Sequence, residues 1–420
     1  MSNMPKLRFP SFNDIWEKHS ISDVLEVIER PLKMLDDEKY SLVTVKRRNE
    51  GIVRRDFLYG KEIKVKNQFI VKEKDLLISK RQIVHGAIGI VPAQLDGSIV
   101  SNEYHAYHTK DGFDLTYFNY LAKRPNLKKS LFLSSDGVDI EKLLFKNNTW
   151  FKWQFHFPTL AEQQKIASFL SKIDEKISLL TEKKDKLAEY KKGVMQQLFN
   201  GSFQEQNGQL TFIPPTLRFK ADDGSEFPDW EEKKLDDICS FTSGKNIKQS
   251  EASPEFSTPC VRYGELYHMY GEVITTVVNR TNLEPSELTF SKGDEILLPS
   301  AGEDPLDIGA ASALTLKDVA IGRTINVLRP KTKDSYCHIY VSYYINNKLK
   351  KKISTLARGA SISNVYNSDL KGLSILLPSL EEQQVVKSFL VAIEEKIDLT
   401  NSELAKAKEW KKGLLQQMFV

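Results

Sequence analysis

The sequence predicts an α+β fold built from two globular domains of mixed helix and strand and two long helices. Three observations predict it. A 42-residue segment occurs twice, apolar residues in both copies follow a heptad spacing, and the stretch before each copy contains short apolar or alternating runs. Heptad spacing is typical of paired helices, whereas short alternating runs are typical of half-buried strands.

The repeated segment covers residues 158–199 and 378–419. The copies align at a constant offset of 220 residues without a gap, and 21 of the 42 positions are identical. This period is far longer than that of a solenoid unit, so it indicates duplication of a whole domain with its helix. Each copy also places a hydroxyl three residues before a glutamate, at Thr159 and Ser379, which is the spacing of a capping box.

The apolar positions of each copy form a seam that needs a partner helix. A single helix over 162–199 would be about 57 Å long, and a plain surface helix of that length is the less favoured alternative. Lys184, Lys191, Thr400 and Lys411 interrupt the seam. The predicted seam residues are Ile166, Leu170, Ile173, Ile177, Leu180, Leu187, Val386, Leu390, Ile393, Ile397, Leu404 and Leu414.

Shorter landmarks extend the repeat. Leu-Arg-Phe and Trp-Glu occur at 7–9 and 16–17 and recur at 217–219 and 230–231. The segment between the units is rich in Gly, Gln and Pro and is predicted to be a linker. The predicted boundaries are 1–157 for the first domain, 158–200 for the first helix, 201–215 for the linker, 216–377 for the second domain and 378–420 for the second helix.

Within the domains, residues 61–71 alternate and predict a strand. Further strands are predicted at 75–78, 89–91, 294–298 and 325–328, and aromatic-rich helices at 115–123 and 339–347. Gly193 and Gly413 lie in the middle of the predicted helices, where glycine lowers helix stability by about 1 kcal/mol relative to alanine. The sequence leaves open whether they mark a kink or a close approach of two helices.

Composition is typical of a soluble globular protein: 420 residues, 40% hydrophobic, 28% charged, net charge +4. The three cysteines are too few and too dispersed for a disulfide framework or a zinc site, and the N-terminus lacks a secretory apolar region. We therefore expect a protein of a reducing cytoplasm. Charge is uneven, with 23 Lys and Arg against 15 Asp and Glu over 30–157, and 16 against 14 over 239–377. Single basic clusters are usually solvated surface, but together they favour a polyanion such as DNA.

Catalytic motifs are missing from the sequence. It has no phosphate-binding Gly-x-x-x-x-Gly-Lys-Ser/Thr loop and no Asn-Pro-Pro-aromatic string. His85, His105 and His108 lack the spacing of a helical metal site, and we expect no metal there. Asp304 and Asp307 are interpreted as loop residues rather than a catalytic pair.

Two dissimilar α+β regions, each opened by LRF and WE and followed by a helix beginning PxLxEQQ, resemble the specificity subunit of type I restriction–modification systems. The resemblance covers essentially the whole chain, and it implies a cytoplasmic protein of a bacterium or archaeon. It implies two target-recognition domains separated by an antiparallel coiled coil of the two helices, with pseudo-two-fold symmetry. It also implies that each domain reads one half of a bipartite double-stranded DNA target while the helices set the spacer.

The resemblance further implies a non-catalytic subunit that binds two methyltransferase subunits, which carry S-adenosylmethionine, and that restriction–translocase subunits join the complex. No cofactor is expected in this chain. Phe169 and Phe389 lie off the main seam, and the sequence leaves open whether they dock a partner or widen the core of the helix pair.

Arg and Lys favour guanine edges and phosphates, and Asn favours adenine. On that basis the candidate DNA-binding residues are Arg47, Arg48, Arg54, Lys80, Arg81 and Asn102 in the first domain, and Lys245, Asn246, Arg262, Arg323, Arg358 and Asn364 in the second. Two other classes stay open: a self-contained nuclease, which predicts metal-dependent cleavage by the chain alone, and a coiled-coil scaffold, which predicts no sequence-dependent DNA binding.

Overall fold

A computed structural model describes residues 4–206, 209–359 and 361–420 of the chain. The chain divides into two compact units, unit 1 (residues 1–182 and 401–420) and unit 2 (residues 183–400). The division falls within both long helices. Each unit therefore contains one α+β domain, the N-terminal half of one long helix and the C-terminal half of the other.

Unit 1 contains a five-stranded sheet in the order β3-β6-β9-β4-β5 and a four-stranded sheet in the order β2-β10-β7-β8. Its strands are β1 Glu17–Ser20, β2 Leu25–Ile28, β3 Pro31–Leu32, β4 Lys39–Val45, β5 Ile52–Tyr59, β6 Gln68–Ile70, β7 Leu76–Ser79, β8 Ile88–Ile90, β9 Ile99–Ser101, β10 Tyr104–Thr109, β11 Ser135–Asp136, β12 Leu144–Phe145 and β13 Gln154–Phe157. Its helices are α1 Ile21–Val24, α2 Leu115–Leu121, α3 Pro125–Leu133, α4 Asn147–Trp150 and the first half of α5 Leu160–Leu198.

Unit 2 contains a five-stranded sheet in the order β17-β26-β22-β24-β19 and a four-stranded sheet in the order β20-β18-β25-β21. Its strands are β14 Ser202–Gln206, β15 Gln209–Ile213, β16 Glu231–Lys234, β17 Cys239–Ser243, β18 Thr258–Val261, β19 Val273–Ile274, β20 Arg280–Thr281, β21 Phe290–Lys292, β22 Glu295–Pro299, β23 Ala301–Gly302, β24 Ser312–Leu314, β25 Lys317–Ile321, β26 Ile325–Pro330, β27 Ser363–Asn364 and β28 Ser374–Leu377. Its helices are α6 Leu235–Ile238, α7 Tyr263–His268, α8 Pro305–Ile308, α9 His338–Tyr344, α10 Lys350–Leu356, α11 Asn367–Lys371 and the first half of α12 Leu380–Gln417; a π-helical turn at Ile345–Leu349 joins α9 to α10.

In each domain, the first strand pairs with the last strand before the long helix. In unit 1, β1 pairs antiparallel with β13, with Glu17 opposite Phe157. In unit 2, β16 pairs antiparallel with β28, with Glu231 opposite Leu377. The Trp-Glu landmark thus begins the strand that pairs with the last strand before the helix, which explains why the landmark recurs.

The long helices pair antiparallel within each unit. In unit 1 the rings of Phe169 and Trp410 lie 5.9 Å apart, and Leu180 clusters with Leu404. In unit 2, Leu198 packs in the same core as Val386. The predicted α+β fold with two domains and two long helices is confirmed, although much of the predicted seam packs against the domains as well as against the other helix.

A buried ion pair anchors the N-terminal landmark of each unit to its helix. Arg8 donates from Nε to Glu162 Oε1 at 2.7 Å, and Arg218 donates from Nε to Glu382 Oε1 at 3.0 Å. Both glutamates are almost fully buried. The carboxylates of the expected capping boxes are therefore used to bind arginine, although the Ser379 hydroxyl does accept from the backbone N–H of Glu382.

The first glutamine of each EQQ motif also has a structural role. Gln163 accepts from the backbone N–H of Asp114, the residue before α2, and donates to the Pro158 carbonyl. Gln383 accepts from the backbone N–H of Cys337, the residue before α9, and donates to the Pro378 carbonyl. Each glutamine thus ties the aromatic-rich helix of its domain to the long helix.

Three expectations about local structure need correction or a decision. Within 61–71 only β6 is a strand, because Gly60–Glu62 forms a 3-10 turn and Val65 is 50% exposed. The predicted linker contains the antiparallel pair β14-β15, with Phe203 and Phe212 on facing strands; its Asn207 and Gly208 lie outside the described residues.

Phe169 and Phe389 pack against the Phe rings of the LRF landmarks, with ring centres 5.6 and 5.2 Å apart. These contacts favour the interpretation that both residues widen the core rather than dock a partner.

Candidate nucleic-acid interface

Two loops of unit 2 bring Lys245, Asn246 and Arg323 together. The backbone N–H of Lys245 donates to Ile321 O at 2.9 Å, and that of Arg323 donates to Asn246 O at 2.9 Å. All three candidate side chains are exposed. Two loops that are far apart in sequence are therefore joined, and they expose two cations and an amide, groups suited to phosphates and to base edges. The amide Nδ2 of Asn246 also donates to the Glu287 carbonyl at 2.8 Å.

The first of these loops is held in an unusual backbone conformation. Asn246 and Ile247 have φ values of 49° and 56°, which is a costly region for a β-branched residue. Ile247 stays there because its side chain is buried with Cys260 and Ala320. A Cβ on Gly244 would lie 2.0 Å from Gly322 O, so only glycine allows the two loops to approach this closely. Strain of this kind is typical of functional loops.

A groove of about 450 Å³ lies beside these loops. Its walls include Arg262, Tyr263, His268 and Arg323. The Arg262 guanidinium donates to Glu265 Oε1 at 2.8 Å, and the Glu265 carboxylate is almost fully buried, so Arg262 is held in a fixed orientation. Tyr263 and His268 were not among the sequence candidates, because an exposed aromatic residue in a loop or short helix carries no periodic signal.

Backbone hydrogen bonds of Ser300 connect the segment that contains Arg358 and Asn364 to the loop that contains Arg323. The backbone N–H of Ser300 donates to Thr324 O, and Ser300 O accepts from the N–H of Val365. Arg358 and Asn364 exchange two backbone hydrogen bonds with each other, and the Arg358 guanidinium also binds Asp369 at 2.9 Å. The six candidates of the second domain therefore lie on linked or adjoining loops.

In unit 1, Arg47 and Arg48 lie in the turn between β4 and β5. Arg48 and Asn49 have φ values of 60° and 59°, so this turn is strained in the same way as the loop of unit 2. The backbone N–H of Asn49 donates to Gly86 O at 2.8 Å, which places the turn against the loop that follows Lys80. Arg47 binds Gln82 and Glu141, whereas the exposed Arg48 extends from the turn.

Lys80, Arg81 and Asn102 occupy the neighbouring loops. The backbone N–H of Lys80 donates to Glu103 O, and Arg81 pairs with the Glu103 carboxylate at 2.7 Å. Burial lowers the pKa of the Lys80 ammonium. Lys80 and Asn102 line a cleft of about 150 Å³ together with His105. Burial, and secondarily the charge of Lys80, lower the pKa of His105 to about 4, so His105 is neutral at pH 7.

Arg54 stands apart from the other first-domain candidates. It lies within β5, opposite Val43, and donates to Ser41 Oγ at 3.1 Å. The structure thus brings five of the six candidates of this domain together. Of the three histidines considered as metal ligands, His108 contacts Asp75 and His85 contacts Glu141. Among the described residues, no group of three or more His, Cys, Asp or Glu side chains is placed to hold a metal ion.

The predicted seam residues occupy the buried stripe of each helix. Most are less than about a tenth exposed, while Ile177, Ile397 and Leu187 are partly buried. Of the four interruptions, Thr400 is buried, and its hydroxyl donates to the Lys396 carbonyl within the helix. Within the described part of the chain, no helix is long and apolar enough to cross a membrane.

Comparison with known proteins gives a consistent result. The family model described as the type I restriction modification DNA specificity domain matches residues 13–189 and 228–409. A relative from Methanocaldococcus jannaschii, assigned as the specificity subunit of the type I restriction enzyme MjaX, is 25% identical over 446 aligned positions, which cover 98% of this chain and 95% of the relative. A second relative from that organism, the MjaIX specificity subunit, is 25% identical over 314 positions, covering 74% of this chain and 69% of the relative.

Among solved structures, the S subunit of a type I restriction–modification system from M. genitalium has a TM-score of 0.61 at 16% identity, with 99% of both chains covered. The two proteins therefore share a fold over their whole lengths.

Proposed function

The chain belongs to the family of type I restriction–modification DNA specificity proteins, and from that premise we propose that it reads a bipartite DNA target and positions the enzyme subunits on it. Each α+β domain reads one half-site, the paired helices set the gap between the half-sites, and the helices bind two methyltransferase subunits, with which restriction–translocase subunits assemble. Methyl transfer and S-adenosylmethionine binding belong to the methyltransferase. The observation that carries this proposal is one cluster of basic loops in each of two dissimilar domains.

The loop clusters support direct reading of DNA. In unit 2, the exposed Lys245, Asn246 and Arg323 are fixed by backbone hydrogen bonds and by a strained, buried Ile247. In unit 1, Arg48 lies in the strained turn between β4 and β5, and the sequence of this turn differs from that of the unit 2 loop. Rigid loops that differ between the domains suit the recognition of two different half-sites, because base readout depends on the geometry of each side chain.

The length of the helices supports a spacing role. Helices α5 and α12 contain 39 and 38 residues, which corresponds to about 57 Å. Half-sites one DNA turn apart are separated by about 34–36 Å. A helix pair of this length is therefore sufficient to bridge them.

Matching exposed residues support docking of a partner on each helix. Leu179 and Leu399 are 59% and 60% exposed, and Tyr190 and Trp410 are 53% and 52% exposed. Each pair is related by the 220-residue offset. Exposed apolar residues at equivalent positions of both helices are consistent with one binding surface on each helix, and two such surfaces suit two methyltransferase subunits.

Changing Lys245 or Arg323 tests the reading role. We expect Lys245→Ala to weaken binding of the methyltransferase complex to all DNA sequences. The slope of the logarithm of the binding constant against the logarithm of the salt concentration should become shallower by about one. We expect Arg323→Ala to reduce the free energy of DNA binding by about 1–3 kcal/mol and to relax the base preference at one base pair of the target. Selection from a randomised DNA library, sequenced at several salt concentrations, measures both effects.

Lys220→Ala is the matched control, because Lys220 is exposed and pairs with Glu226 outside the loop cluster. If both loop variants bind and select DNA as the unchanged chain does, these loops are not the interface. Metal-dependent cleavage by the purified chain alone would instead support the nuclease alternative.

Substitution of Gly193 and Gly413 tests the docking role. Nothing lies within 4 Å of a Cβ placed at either glycine, so Gly→Ala at each should stabilise the chain by about 0.5–1 kcal/mol. The larger Gly193→Leu and Gly413→Leu changes should leave thermal denaturation of the chain nearly unchanged and weaken methyltransferase binding at least tenfold, because the side chain would block close approach of the partner. Titration calorimetry measures the binding.

Ala188→Leu and Lys408→Leu provide the control for this experiment, because these exposed positions are also related by the offset but lie on a different side of each helix. Equal methyltransferase affinity for the glycine variants and the controls would argue against docking at this surface.

A further inference from the structure

Both long helices carry a lysine at a seam position where an apolar residue is expected. Lys191 and Lys411 are related by the 220-residue offset, and their side chains are only 17% and 18% exposed. A lysine at such a position lowers the stability of a helix pair, and in coiled coils polar residues of this kind specify the register. The recurrence of the lysine in both copies therefore calls for a physical explanation.

In unit 1, Lys411 connects three segments of the chain. Its ammonium forms an ion pair with Asp174 on the opposite helix and lies 5.6 Å from the centre of the Tyr120 ring. Tyr120, in α2 of the domain, donates its hydroxyl hydrogen to Asp174 Oδ2 at 2.7 Å. One lysine thus joins helix α12 to helix α5 and to the recognition domain.

In unit 2, Lys191 forms the corresponding junction. Its ammonium forms ion pairs with Glu394 on the opposite helix and, at 2.9 Å, with Glu272 of the domain. It lies 5.5 Å from the centre of the Tyr343 ring in α9. Burial disfavours the charged form of Lys191, but the two carboxylates outweigh this effect and raise its pKa. The lysine therefore remains a cation in this environment.

The two junctions require the same alignment of the helices. Asp174 and Glu394 are related by the same 220-residue offset as the two lysines. A heptad seam of Leu, Ile and Val remains largely apolar when one helix slides by seven residues, which corresponds to about 10 Å. Such a slide would remove both lysines from their acidic partners and place them against other seam positions. Snorkelling to solvent, the usual arrangement for a seam lysine, is not what the structure shows.

We propose that Lys191 and Lys411 are positioning residues that hold the helix pair in a single register and fix each recognition domain to it, so that the complex accepts a single gap between half-sites. This inference rests on the proposed function. The lysines act through their ion pairs with the opposite helix and, in unit 2, with Glu272 of the domain.

The test uses the full methyltransferase complex and reads the gap length in genomic methylation. In the double variant Lys191→Met and Lys411→Met, apolar side chains replace the lysines, so the seam remains apolar. We expect both half-sites to be unchanged, while sites with shifted gaps, undetected with the unchanged chain, are methylated to at least a tenth of the level at native sites. The control variant Lys192→Met and Lys412→Met changes the exposed neighbouring lysines and should keep the single gap.

A charge exchange separates positioning from simple stability. Lys411→Asp alone places two carboxylates together and should broaden the gap or lower methylation, whereas adding Asp174→Lys should restore the single gap. If the methionine variant folds and keeps the single gap, or if the exchange fails to restore it, the positioning role is wrong. If the unchanged chain yields no bipartite motif, the proposed function itself fails, and that result is distinguishable from the others.

Discussion

Replacing Arg218 by methionine should lower the free energy of unfolding by about 3–5 kcal/mol, because it leaves a buried carboxylate without its cation. Arg218 contacts both oxygens of Glu382 at 3.0 Å, and the Glu382 side chain is 1% exposed. The loss is a large share of the 5–15 kcal/mol that is typical of folded proteins. Urea denaturation followed by circular dichroism measures it.

Two further variants decide how this result is interpreted. Adding Glu382→Leu to Arg218→Met should recover part of the lost stability, because it removes the unpaired carboxylate. Recovery should be incomplete, because the buried Trp230 indole N–H, which donates to Glu382 Oε2 at 3.2 Å, loses its acceptor. Lys220→Met removes one partner of the exposed Lys220–Glu226 pair and should leave the denaturation midpoint unchanged. A loss below about 1 kcal/mol in Arg218→Met would mean that the ion pair does not anchor the LRF landmark.

Inserting one heptad after Leu180 and another after Thr400 should lengthen the gap in the DNA target by about three base pairs. Seven helical residues add about 10 Å, and base pairs are spaced about 3.4 Å apart. These insertion points lie beside the division between units, after residues 182 and 400, so the contacts within each unit are kept. Both half-sites should therefore remain as they are. Sequencing of methylated genomic DNA from cells expressing the complex measures the gap and the half-sites together.

The control for the insertion lengthens the chain outside the helices. Seven residues added after Gly224, in an exposed turn with a φ of 84°, should leave the gap unchanged. Altered half-sites with an unchanged gap in the heptad variant would show that the helices do not act as the spacer.

The sequence predicted the elements that depend on periodicity and repetition. The duplicated helices, the aromatic-rich helices α2 and α9 and the strands β7, β8, β22 and β26 follow from local patterns, which depend on burial of one face. It could not predict the partners of Glu162 and Glu382. Their spacing matches a capping box, yet an arginine more than 150 residues away competes for the carboxylate, and long-range pairing leaves no local signal.

The sequence indicates which residue types could bind DNA, but it does not show which of them lie close together in space. Lys245 and Arg323 are 78 residues apart in the sequence and meet only because two backbone hydrogen bonds join their loops. Arg54 lies only six residues after Arg48 in the sequence, yet the pairing of β4 with β5 places it along a strand. From the sequence alone the seam lysines are only interruptions of the apolar pattern, because their acidic partners lie on the other helix and, for Lys191, also in the domain.

Genomic adenine methylation, read after expression of this chain with its methyltransferase, tests the central claim most directly. If two different domains read DNA from one helix pair, the methylated sites will share an asymmetric motif of two short specified blocks separated by one fixed, unspecified gap. A continuous motif, or methylation whose sequence does not depend on this chain, would contradict the account.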